Sequence, residues 1–173
     1  VSARRIAWGK FMNAGQTCIA PDFLLVPRAM KDKFVVKLQE AIQGFFGADA
    51  SQSPDYGRII TEKHFDRLNG LMEGGRKLFG GVSDRSSRYI APTLIEPSSN
   101  DVPLMREEIF GPLFPIVAYD SFESAVEFVR HRPKPLALYF FTKQQSRADH
   151  VLKSLSFGGG CINEVYLHMM VKG

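Results

Sequence analysis

Residues 113–142 read LFPIVAYDSFESAVEFVRHRPKPLALYFFT, and this stretch decides the fold class. Leu113 to Tyr119 is a continuous apolar run of strand length. Ser121 then offers a side-chain oxygen as N-cap to a helix that carries Phe122, Ala125, Val126 and Val129 inward. Leu136 to Thr142 returns to strand composition. A helix from Ser146 to Leu155 follows, and the triplet Gly158-Gly159-Gly160 leads as a flexible entry into a last short strand at Cys161-Ile162-Asn163. Strands alternating with single helices are the pattern of crossover units on a parallel sheet.

The upstream half repeats the pattern. Ala3, Ile6, Ala7, Phe11 and Ala14 share one face of a helix that should stop at Gly15. Phe23-Leu24-Leu25-Val26-Pro27 has the length and composition of a buried strand. Met30, Phe34, Leu38, Ile42 and Phe45 mark a second helix closed by Gly47. Ala48 to Tyr56 reads as a loop, and Thr61 caps a third helix carrying Phe65, Leu68, Leu71 and Met72 to a stop at Gly74-Gly75. Lys77-Leu78-Phe79 and Tyr89 to Ile95 are short strands joined by a polar turn, with Pro92 favouring an edge or irregular place. The expected fold class is therefore α/β, a largely parallel sheet with helices on both faces. No repeat, low-complexity tract or linker divides the chain, so residues 1–173 are expected to form one domain.

The 173 residues are 45% hydrophobic and 23% charged, an ordinary globular balance that argues against a disordered or fibrous chain. The net charge of +4 comes from scattered basic residues, so no nucleic-acid partner is expected. No apolar run approaches the ~20 residues of a membrane helix, and the N-terminus lacks a signal-peptide core. Two cysteines, Cys18 and Cys161, are too few for a disulfide framework, which fits a reducing, cytoplasmic compartment. The chain begins with Val1 and stops at Gly173 without a terminal signal, which suggests a piece of something longer.

Cys18 follows Gly15-Gln16-Thr17 where a helix gives way to a loop, a place that can expose a side chain. Its thiolate could attack a carbonyl carbon and form a covalent intermediate, although most isolated cysteines are small buried hydrophobes. Cys161 reads as a buried strand residue. His64, His131, His150 and His168 show no metal-ligand spacing, so no metal is expected. A hydrolytic pair of Cys18 with one of these histidines stays open, because such pairs need only closeness in space. In Arg106-Glu107-Glu108-Ile109-Phe110-Gly111-Pro112, a Glu could accept hydrogen bonds from ribose hydroxyls and a Phe could pack on a flat ring. The alternative is a surface acidic pair before a turn. The triplet at 158–160 lacks the following helix of a dinucleotide fingerprint.

Together, Gly15-Gln16-Thr17-Cys18, Arg88-Tyr89-Ile90-Ala91-Pro92-Thr93 and Glu107-Glu108-Ile109-Phe110-Gly111-Pro112 resemble the aldehyde dehydrogenase superfamily in identity, order and spacing. Ala20-Pro21-Asp22, Asp55-Tyr56-Gly57-Arg58-Ile59-Ile60 and Lys134-Pro135-Leu136-Ala137-Leu138-Tyr139 are similar to the class 3 branch, which includes fatty and aromatic aldehyde dehydrogenases. The resemblance spans nearly the whole chain. It implies that Cys18 is the nucleophile, that Glu108 contacts the nicotinamide ribose and that Phe110 contacts the nicotinamide ring, with NAD or NADP as cofactor and a small aldehyde as substrate.

The implied chemistry is oxidation of an aldehyde to a carboxylic acid through a Cys18 thiohemiacetal and thioester. The resemblance also implies that most of the NAD-binding domain, the general-base Glu and the oxyanion-hole Asn lie outside these residues, so the fragment alone should be inactive. A complete form is expected to be a homo-oligomer, a dimer by likeness, and membrane anchoring of a longer parent stays open. Two other readings stand beside this one: a cysteine hydrolase, and a non-catalytic module that pairs with a full-length subunit.

Overall fold

The strand at Leu113–Tyr119 lies inside a four-stranded sheet in the computed structural model, which describes residues 1–169. In chain order the helices are α1 (Ser2–Phe11), α2 (Lys31–Phe46), α3 (Glu62–Leu71), α4 (Pro103–Arg106), α5 (Phe122–Arg130) and α6 (Gln145–Ser154). The strands are β1 (Leu24–Pro27), β2 (Gly75–Phe79), β3 (Ser83–Asp84), β4 (Tyr89–Ile90), β5 (Thr93–Pro97), β6 (Leu113–Tyr119), β7 (Ala137–Phe140) and β8 (Gly159–Ile162). The main sheet runs β1-β6-β5-β2, with β6 parallel to both of its neighbours and β2 antiparallel to β5. β3 and β4 pair as a short antiparallel ladder, and β7 and β8 pair in parallel.

Helices cover both faces of the main sheet, and strand alternation explains how. Leu94 joins Ile6, Phe11, Leu38 and Ile42 of α1 and α2 on one face, together with Phe114 and Ile116. The adjacent Ile95 and Leu113 point the other way, into a core with Phe65, Leu68 and Leu71 of α3 and Leu104 of α4. Residues 94–95 and 113–116 are therefore buried on both sides, which is why they read as unbroken apolar runs.

The helix starts follow their caps. Thr61 Oγ1 accepts from the His64 N–H at 3.2 Å, and Ser121 and Ser124 satisfy each other's backbone N–H groups as a capping box.

Four expectations shift. The first helix ends at Phe11 rather than near Gly15, because Asn13 and Ala14 take left-handed φ values of 53° and 51°. The run 89–95 forms two strands with different partners instead of one, and β5 is an interior strand; Pro92 itself takes the irregular place expected of it, in the break between β4 and β5. Gly159 and Gly160 belong to β8 itself rather than to a flexible entry, since Leu138 packs its carbonyl where a Cβ on Gly160 would stand. The expected single sheet is divided: β7 and β8 pair apart from the main sheet, so β7, α6 and β8 form a crossover unit of their own.

Candidate active site

Cys18 is exposed, on a turn closed by the Ala20 N–H donating to the Thr17 carbonyl at 2.9 Å. The chain reaches this turn through three consecutive left-handed residues, Asn13, Ala14 and Gly15, the last with φ 72°. Only glycine fits at position 15: a Cβ there would lie 2.6 Å from the Gly111 carbonyl carbon and closer still to its oxygen. Gln16 locks the next step. Its Nε2 donates to the carbonyls of Arg58 (3.0 Å) and Asn13 (3.1 Å), and its Oε1 accepts from the Ile60 N–H at 3.0 Å. Among the described residues, the N–H groups of Cys18 and Ile19 have no acceptor. Two free backbone donors thus accompany the exposed thiol.

The close approach of Gly15 to Gly111 brings this turn against the segment that carries Glu108 and Phe110. That segment is held almost atom by atom. Arg67 of α3 donates to the Glu107 carboxylate (3.2 Å) and to the carbonyls of Glu108 (3.1 Å) and Ile109 (2.6 Å). The His64 Nε2–H donates to the Phe110 carbonyl at 2.7 Å, and Asp22 accepts from the Ile109 N–H at 3.1 Å. Asp22 lies four residues beyond Cys18, so it is a second tie between the two segments. Phe110 is forced to φ 49°, a conformation that costs a bulky residue about 1 kcal/mol or more.

The two carboxylates of the acidic pair therefore differ. Glu107 is spent on Arg67, whereas the exposed Glu108 carboxylate has no partner among the described residues. Such a carboxylate can accept from hydroxyl groups of a ligand, and the half-buried Phe110 ring beside it can pack on a flat group. The residues present thus fit a ribose-bearing cofactor.

The remaining candidates are placed elsewhere. His64 serves Phe110, His168 sits with Nδ1 at 3.5 Å from Cys161 Sγ, His131 lies beside Glu127, and His150 packs edge-on to Phe122. No histidine is hydrogen-bonded to Cys18 among the described residues. Nor, among those residues, is any group of three or more His, Cys, Asp or Glu side chains placed to hold a metal ion. No helix of the described residues is long and apolar enough to cross a membrane. Tyr89, Ile90, Ala91 and Thr93 of the Arg88–Thr93 motif are buried, so this motif supports the site from within.

Lys10, also missed from sequence, is fully buried near Asp22 with its Nζ over the Phe114 ring at 5.6 Å and no hydrogen-bond partner among the described residues. Burial pulls its ammonium down to about 8, against a smaller upward pull from Asp22. Arg67 and His64, three residues apart on α3, were legible only as helix surface.

A comparison of sequences gives this geometry its relatives. Residues 1–172 match the model of the aldehyde dehydrogenase family. The chain is 46% identical over 171 residues to the 4,4'-diaponeurosporen-aldehyde dehydrogenase of Staphylococcus aureus, covering 98% of this chain and 37% of that protein. It is 47% identical to the dimeric NADP-preferring aldehyde dehydrogenase of Rattus norvegicus, covering 99% of this chain and 38% of that protein. Among solved structures, a substrate-bound Staphylococcus aureus AldH superposes with TM-score 0.95 at 44% identity, over 98% of this chain and 38% of that one. A Mycobacterium tuberculosis aldehyde dehydrogenase complexed with NAD+ superposes with TM-score 0.83 at 25% identity, over 96% of this chain and 37% of that one. The chain thus spans under two fifths of the length of these relatives. An exposed thiol beside free backbone donors, tied to a clamped Glu-Ile-Phe-Gly-Pro loop, and a match running through 172 residues lead to one conclusion: the chain belongs to the aldehyde dehydrogenase family.

Proposed function

We propose that residues 1–173 are the nucleophile-bearing catalytic domain of an NAD(P)+-dependent aldehyde dehydrogenase that oxidises aldehydes to carboxylic acids, with most of the NAD-binding domain outside this chain. The observation that carries this reading is the exposed Cys18 on a turn whose own N–H and the next are free. The Cys18 thiolate adds to the aldehyde carbon, and the carbonyl oxygen takes the negative charge of a thiohemiacetal. The Cys18 N–H donates to that oxyanion, a role supported by its having no acceptor among the described residues. A bound nicotinamide would supply the acceptor for the hydride that leaves the adduct carbon. A thioester on Cys18 remains, and water hydrolyses it to the acid and the free thiol. Glu108 would hold the cofactor through its ribose hydroxyls, and Phe110 would pack against the nicotinamide.

Support for the cofactor comes from the names of the relatives, one NADP-preferring and one solved with NAD+. The complete form is expected to assemble as a homo-oligomer. The test is NAD(P)H formation from hexanal or benzaldehyde by the complete natural polypeptide that contains these residues. Cys18→Ser should abolish turnover and leave the fold intact, and Glu108→Gln should slow it. Undiminished oxidation by the Cys18→Ser protein would overturn the assignment. The 173 residues alone should form no NAD(P)H.

A further inference from the structure

Tyr139 of β7 lies 120 residues from the Cys18 turn, yet its hydroxyl donates to the Ile19 carbonyl at 2.9 Å. The acceptor belongs to the peptide group that joins Ile19 to Ala20. The N–H of that same peptide donates to the Thr17 carbonyl and closes the turn around Cys18. A chain of bonds therefore runs from the Tyr139 hydroxyl through one peptide to Thr17. Hydrogen bonds linked through a peptide polarise and strengthen one another.

The strut itself is braced. The Tyr139 ring stacks on Tyr166 with centroids 6.4 Å apart and planes 7° from parallel, and Tyr166 in turn donates to the Gly9 carbonyl of α1 at 3.0 Å. Ile19, Val165 and Tyr166 form a small buried core against which Ala137, Tyr139 and Phe141 pack. Cys161 is the register partner of Tyr139 on β8, and His168 lies near both, with Nδ1 3.5 Å from the Cys161 Sγ and its ring centroid 5.8 Å from that of Tyr139.

From this geometry we infer that Tyr139 is a positioning residue: its hydroxyl fixes the Ile19–Ala20 peptide, and through it the thiol and the free N–H groups of the Cys18 turn. The inference rests on the reading of Cys18 as nucleophile. The hydroxyl remains a donor through the working pH range, because burial, together with Tyr166, Cys161 and Cys18 nearby, pushes the phenol above its usual range. Without the bond the turn loses its tie to β7, and the thiol and the two free N–H groups beside it lose their fixed places.

The test follows alkylation of Cys18 by iodoacetamide as a function of pH, read by intact mass in a Cys161→Ser background of this chain. Tyr139→Phe removes the hydroxyl and keeps the ring. Near neutral pH it should slow Cys18 alkylation by about threefold or more, the factor that one hydrogen bond's net free energy supplies. The pH midpoint of the rate should move upward. Tyr56→Phe is the control, since Tyr56 donates to the Ile90 carbonyl at 2.9 Å in another part of the core and should cost stability without moving the profile.

Identical profiles for the parent and Tyr139→Phe, or equal slowing in both Tyr→Phe variants, would overturn the inference. Should Tyr139→Phe fail to fold, a fluorinated tyrosine at 139 keeps the shape and acidifies the phenol. Cys18 reactivity should then fall where the phenol ionises, and a profile parallel to the parent would overturn the inference. Alkylation needs no dehydrogenase turnover, so loss of the catalytic reading would show as absent NAD(P)H formation by the complete natural polypeptide with the Tyr139 effect on alkylation intact.

Discussion

Replacing Gly15 by alanine strikes the contact on which the site depends. At φ 72° an alanine is strained by about 1 kcal/mol relative to glycine. Its Cβ would also stand 2.6 Å from the Gly111 carbonyl carbon, where ordinary contact needs roughly 1 Å more. Neither partner can yield cheaply. Gly111 has the Leu68 side chain against its own Cα, and Gln16 is pinned to Arg58 and Ile60. Backing the turn away would break one or two of those bonds, each worth about 1 kcal/mol net. The sum is roughly 3 kcal/mol, which lowers the melting temperature of a chain this size by about 6–12 °C. Thermal unfolding followed by circular dichroism reads the change directly. Gly44→Ala is the matched control, because nothing lies within 4 Å of its Cβ position inside α2. There the substitution should stabilise by about 0.5–1 kcal/mol. A Gly15→Ala melting temperature within about 2 °C of the parent would refute the close approach of Gly15 to Gly111, and with it that tie between the Cys18 turn and the segment carrying Glu108 and Phe110.

Lys10→Met should stabilise the chain by roughly 3 kcal/mol at neutral pH, since the folded ammonium, lowered from 10.5 to about 8, is disfavoured by burial. Between those two values the unfolded chain binds more protons than the folded one, so parental stability rises with pH and the advantage of Met fades by about pH 10.5, as urea midpoints across that range will read. Arg67→Ala leaves the Glu108 and Ile109 carbonyls without their donor and should raise amide hydrogen exchange at 107–111 while costing about 1–3 kcal/mol, and unchanged exchange there would count against the clamp. Glu96 sits between Lys31 and Arg76, whose hydrogen bonds hold its carboxyl below the usual range. Its contribution is present above the ordinary carboxylate range and lost as pH falls through the lowered value, so Glu96→Gln should flatten the acid limb of the stability profile.

Much of the fold was legible because local chemistry agreed with the final packing. The runs at 24–27 and 113–119, the caps at Thr61 and Ser121 and the stop at Gly47 all carry signals within a few residues, and each lies where its pattern places it. Local chemistry failed where distant groups set the backbone. Helical periodicity continues through Ala14, but the fit of Gly15 against Gly111 turns the chain away at Met12. Nothing within ten residues of Gly160 announces that it must accommodate Leu138.

The candidate site divides in the same way. The residue types at Cys18, Glu108 and Phe110, and the family they point to, could be read without any structure, because thiol, carboxylate and aromatic ring are properties of single side chains in a recognisable order. Which of two adjacent glutamates is free was decided only by tertiary structure: Arg67, some forty residues away, takes Glu107 and leaves Glu108 open. The same holds for Asp22, His64 and Tyr139, whose partners are main-chain groups 46 to 120 residues distant. A backbone carbonyl or N–H carries no sequence signature, so a residue that works by holding one becomes visible only when the chain has folded.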